Sequence, residues 1–135
     1  MSAFVKQADV RIEQFDWGVI GWRLTPERGA KHVVVMDVTI EPGKEHDFHR
    51  HLGQEEMIIV KRGRVIQFIE EASTTLETGD SVFVGEGVVH ASFNRGDDTA
   101  HLQVIIAPSL GEGSGYGLVD VSGDEPWASL GPTRE

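Results

Sequence analysis

Cysteine is absent from the 135 residues. That excludes disulfides and thiolate metal sites and fits a reducing compartment. Long apolar runs are missing too. The longest are four-residue pieces such as Met57-Ile-Ile-Val60, against the ~20 residues a membrane-spanning helix needs. The opening Met1-Ser-Ala-Phe-Val-Lys6 lacks the charged start, apolar core and small-residue cleavage site of a signal peptide, so a cytoplasmic protein is expected. Basic residues are scarce: 12 Lys and Arg face 22 Asp and Glu, a formal charge of −10. A surface of that sign repels phosphate backbones and anionic headgroups, which sets nucleic-acid and membrane roles aside. A sustained helical period is also lacking.

What is present is a series of short β-rich segments between turn signals. Asp9–Phe15, Val19–Leu24, Lys31–Ile40, Glu56–Val60, Val65–Ile69, Ser73–Thr78, Ser81–Val84, Val88–Phe93 and Ala100–Ala107 all read as strands. Lys61-Arg-Gly-Arg64 reads as a hairpin turn between its neighbours, and Asn94–Asp98 as a tight turn. About ten such strands mean an all-β sandwich or barrel. At this length one domain buries its own core, and residues 1–108 are assigned to it. From Ser109 glycine takes over, at Gly111, Gly113, Gly115 and Gly117. No Lys-Ser/Thr pair or helix follows to make this a phosphate cradle. Residues 109–135 are expected to form a loosely held arm, with Leu118–Val121 and Trp127 packing on the barrel or on a partner chain.

Two stretches carry chemistry. In Gly43–Glu56, His49 and His51 stand two apart and so share one face of a strand, with Glu55 and Glu56 close behind. Far downstream, His90 sits among apolar residues. Three imidazoles and a carboxylate suit one divalent transition metal, whether iron, manganese, nickel, zinc or copper. Strand parity leaves Glu55 and Glu56 undecided, because both faces of that strand are apolar. His46, three before His49, should face away and lie at the rim or surface. His32 and His101 are read as structural. Gln67, Ser92 and Gln103 are candidates for a cavity wall.

Gly43, His49, His51, Glu56 and Gly63, followed by Gly79, Gly87, His90 and Asn94, resemble the two motifs of small single-domain cupins, in order and spacing. Gly85 stands where that family has proline. The motif's trailing glycine selects Glu56, since Glu55 would put Arg62 at the glycine position. The resemblance implies a cupin-type barrel, a jelly roll of two antiparallel sheets, with His49, His51, Glu56 and His90 meeting on one ion. It also implies a homodimer built across one sheet.

The fold hosts many chemistries, so activity is less constrained. A metal-dependent, dioxygenase-like enzyme acting on a small organic molecule is the leading expectation. A non-catalytic module that binds or senses a small ligand is the alternative, and a metal-dependent isomerase or cyclase the third. A sugar-phosphate isomerase would need inward cations, for which Arg23 and Arg64 are the candidates.

Overall fold

The computed structural model describes residues 2–131. Among the described residues eleven strands run in chain order: β1 (Arg11–Phe15), β2 (Gly18–Leu24), β3 (Val34–Ile40), β4 (Glu45–Arg50), β5 (Glu55–Arg62), β6 (Val65–Ile69), β7 (Ala72–Leu76), β8 (Ser81–Val84), β9 (His90–Phe93), β10 (Ala100–Ala107) and β11 (Val119–Asp120). One sheet has the order β1-β2-β3-β10-β5-β8 and the other β11-β4-β9-β6-β7. Every pairing is antiparallel. The only helical pieces among the described residues are three short 3₁₀ turns, and no helix there is long and apolar enough to cross a membrane.

Burial alternates along the central strands as one buried face requires. Val34, Met36, Val38 and Ile40 on β3 meet Leu102, Val104 and Ile106 on β10 and Ile58 and Val60 on β5, forming the core between the sheets. A second cluster lies on the outer face of the five-stranded sheet. There Phe48, Phe68, Ala91 and Phe93 are covered by Val121, Trp127 and Leu130 from the C-terminal segment.

The expected 61–64 hairpin is a sheet crossing instead. β5 pairs with β10 and β8, whereas β6 pairs with β7 and β9, so Gly63 is the corner where the chain changes sheets. Its φ of 78° and a site for Cβ only 3.0 Å from the Thr99 carbonyl oxygen explain the glycine. The Asn94–Asp98 turn likewise leads from one sheet to the other. Asn94 pins it with bonds from Nδ2 to the carbonyls of Ile40 (2.9 Å) and Asp98 (2.8 Å). A true two-residue hairpin joins β6 to β7 through Glu70, at φ 52°, and Glu71.

The segment after Ser109 is stitched to the barrel rather than loosely held. Val119 and Asp120 pair with Arg50 and His49 on β4. Gly115 sits so close to Ser109, Val34 and Pro26 that no side chain fits there. Residues 132–135 of the expected arm lie outside the described residues.

Candidate metal centre

β4 and β9 are neighbours in the five-stranded sheet, and His49 lies opposite His90 in their register. His51 follows just beyond the end of β4. The three imidazoles are buried, and each offers a nitrogen within 4.8 Å of the others. β5 comes from the other sheet and turns Glu56 inward with Ile58 and Val60, while Glu55 is exposed. This settles the parity that the sequence leaves open. Glu56 Oε1 lies 2.7 Å from His90 Nε2 and 3.3 Å from His51 Nε2.

The tautomers follow from the backbone. His49 Nδ1–H donates to the Asp47 carbonyl (2.6 Å), His90 Nδ1–H to that of Val88 (3.0 Å) and His51 Nδ1–H to that of Gly117. A carbonyl only accepts, so each Nδ1 carries hydrogen and each neutral ring keeps its lone pair on Nε2. His51 Nε2, His90 Nε2 and Glu56 Oε1 are all buried without a well-formed hydrogen bond. Lone pairs therefore confront one another across the centre, an arrangement that is costly unless a cation or a shared proton lies between them. The donor set fits a divalent transition metal, with its outer hydrogen bonds already in place.

Charge at the centre is consistent with this. Burial works to raise the Glu56 carboxyl, but the His51 and His90 imidazoles set against it outweigh that and hold the group at about 2. Burial works to lower His90, and the Glu56 carboxylate beside it overcomes this, raising that imidazole above its ordinary 6.5. Burial pushes His49 well below the usual range, helped by His46, His90 and His51. Below its raised value His90 carries a second proton on Nε2 that metal binding must displace, whereas His49 is already neutral. Affinity is therefore expected to fall about tenfold per unit as pH drops below the raised His90 value, with about one proton released per ion. Calorimetry in buffers of different ionisation enthalpy counts that proton. Affinity independent of pH from 7 to 5 would contradict it.

His46 departs from the expected orientation. It pairs with Ser92, and His49 pairs with His90, so three residues on β4 span two on β9. This β-bulge puts His46 and His49 on the same inward face. Their rings stack at 3.9 Å. Burial takes the His46 imidazole down to about 4 against the attraction of Glu56. Ser92 and Gln67 also point inward and share a 2.6 Å hydrogen bond. Gln103 faces outward, where it donates to Asp37 Oδ1. Arg23 is engaged by the same Asp37 at 2.6 Å. Arg64 lines two pockets with such residues as Thr75, Glu77, Arg95 and Asp98, neither of which is lined by a histidine of the centre.

Two residues at the centre escaped the sequence reading because the C-terminal segment brings their partners. Gln54, buried, donates from Nε2 to the carbonyls of Pro108 and Gly115 (both 2.9 Å) and accepts from the Gly117 amide (3.0 Å). It thereby holds the carbonyl that orients His51. Gln54→Ala is expected to lower metal affinity about tenfold, the lower end for loss of outer-sphere support. It should also expose the 109–118 segment to protease. Unchanged affinity would show that Gly117 keeps its place without the clamp. Tyr116, from the same segment, packs against His51 (4.8 Å between ring centroids) and Trp22 (5.6 Å). Burial drives its phenol well above the ordinary range, with Glu56 adding to the effect.

The profile of the cupin domain matches residues 36–106, more than half of the chain. The chain belongs to the cupin family. Solved structures place this cupin in the same fold at low identity. The polyketide cyclase RemF from Streptomyces resistomycificus superposes with a TM-score of 0.72 at 19% identity, over 94% of this chain and 91% of that one. An RmlC-like cupin from Shewanella frigidimarina gives 0.71 at 17%, over 82% and 94%. The predicted oxalate decarboxylase of Thermotoga maritima gives 0.70 at 18%, over 78% and 98%. No curated protein sequence matches this cupin significantly.

Proposed function

We propose that this cupin is a metal-dependent enzyme acting on a small organic molecule at the barrel mouth, with dioxygenase-like chemistry. His49, His51, Glu56 and His90 are its ligand set. The observation that carries the reading is the gathering of buried nitrogens of His49, His51 and His90 within 4.8 Å of one another, with Glu56 Oε1 beside two of them. Three neutral imidazoles and one carboxylate on a divalent ion leave a net charge of +1. Such an ion polarises a chelated oxygen donor or activates dioxygen. The residues of this chain do the rest: Glu56 and the imidazoles stay fixed by their outer hydrogen bonds, and the apolar core behind them excludes water. Elemental analysis of protein purified without chelator tests the ligand set. Anaerobic ferrous loading, followed by oxygen-uptake screening against phenols, diketones and thiols, tests the chemistry. Metal retention with no uptake, alongside tight binding of one unchanged compound, would favour a binding module instead.

The outer face of the six-stranded sheet supports a homodimer. Register aligns Val35, Ile105, Met57 and Phe83 in one row across four strands, with Phe83 60% exposed. A contiguous apolar row of this kind on a sheet is commonly covered by a second copy. Light scattering at micromolar concentration should give twice the chain mass, and Phe83→Glu should halve it. A monomeric wild type would refute the dimer.

A further inference from the structure

A second feature of the barrel mouth narrows the substrate class. Outside the metal centre lies an open cavity of about 490 Å³, lined by Phe15, Trp17, Trp22, His46, Tyr116 and Leu118 among others. Ile20, His46, His49 and Tyr116 also line the small space behind it and so form the neck between the two. Four rings run from the surface to the centre in one continuous stack. Phe15 and Trp17 lie 5.1 Å apart at 11°, Trp17 and His46 4.6 Å at 11°, and His46 and His49 3.9 Å at 20°. The stack ends on a candidate ligand of the metal.

Such a wall is rigid before any ligand arrives. It offers edge and face contacts to another ring at little ordering cost. The charged lining residues are Asp16, Glu45, Asp47 and Asp120 against Lys44. Glu45 is engaged by Arg95 at 2.8 Å, which leaves a rim dominated by carboxylates. That rim opposes small dianions and phosphate esters. An apolar cavity of about 150 Å³ takes one benzene, so this one holds roughly two or three fused rings.

We infer that the mouth cavity binds an uncharged, planar, fused-ring aromatic compound carrying adjacent oxygen donors. The ring system lies along Phe15, Trp17 and His46, and the donors point past His49. The placement of the donors rests on the metal-centre reading. The aromatic wall does not.

The probes are a naphthalene diol with adjacent hydroxyls and oxalate, an aliphatic dianion. Quenching of tryptophan fluorescence reads their binding to the metal-loaded and metal-free full chain. The diol should bind both forms, more tightly when metal is present, and at least about tenfold more tightly than oxalate to the loaded form. Trp17→Leu should weaken diol binding about tenfold with metal content by elemental analysis unchanged. Oxalate binding as tightly as the diol would overturn the inference, and so would equal diol affinity in Trp17→Leu. Should that variant fail to fold, the wild-type comparison of diol with oxalate decides alone. Absence of metal from the wild type would sink the metal-centre reading while diol binding to the metal-free chain still tested the wall.

Discussion

His90→Ala is expected to lower affinity for a divalent transition metal by at least about 100-fold, and Glu56→Ala by a similar factor. Loss of an outer-sphere partner alone typically costs 10- to 100-fold, and here a donor itself is removed. His90 is also the hub of the centre. Its Nε2 faces Glu56 Oε1 at 2.7 Å, and its ring packs 4.2 Å from His49 and 5.1 Å from His51. In Glu56→Ala the carboxylate that faces His51 and His90 is lost, so the ion keeps its full +2 charge inside a largely apolar barrel. Competition with a chromophoric chelator measures both variants. The metal-free unfolding midpoint must be measured beside it, because a general loss of structure would mimic loss of the site. Retained affinity in both, with folding intact, would remove these residues from the ligand set.

Legibility of the centre in the sequence depended on what each residue leans on. His49, His51 and His90 meet because β4 and β9 are adjacent, and the glycine-bounded motifs report that adjacency. The orientation of His46 was hidden. Period-two reasoning assumes a regular ladder, and the extra residue between His46 and His49 breaks it. The 61–64 turn has hairpin composition, yet composition says nothing of which sheet a strand joins. The real hairpin at Glu70 lacks the glycine or asparagine that would announce it. Gln54 and Tyr116 were invisible for another reason. Gln54 acts on carbonyls and an amide more than fifty positions away, and Tyr116 rides on a segment whose glycines read as slack. Two of those glycines serve close approach: at Gly115 the neighbours leave no room for a Cβ, and at Gly117 Leu110 stands 2.9 Å from where one would be.

Phe48→Ala is expected to destabilise the metal-free protein by about 3–5 kcal/mol, the range for deleting a buried phenyl ring. Phe48 is 0% exposed, on the opposite face of β4 from His49. Its ring touches Phe68 at 5.2 Å, Phe93 at 5.7 Å and Trp127 at 5.5 Å. It thus ties three strand positions to the C-terminal segment, and collapse into the void is hindered because the partners sit on paired strands. At roughly 3 °C per kcal/mol for a chain of this size, the midpoint should fall by about 10–15 °C. Phe4, 80% exposed, supplies the control: Phe4→Ala should change stability by less than about 0.5 kcal/mol. The environment of Trp127 should change as well, and tryptophan fluorescence registers it. A loss below about 1.5 kcal/mol would mean that the C-terminal segment is not held by this cluster. The backbone pairing of Val119 and Asp120 with β4 would then have to anchor it alone.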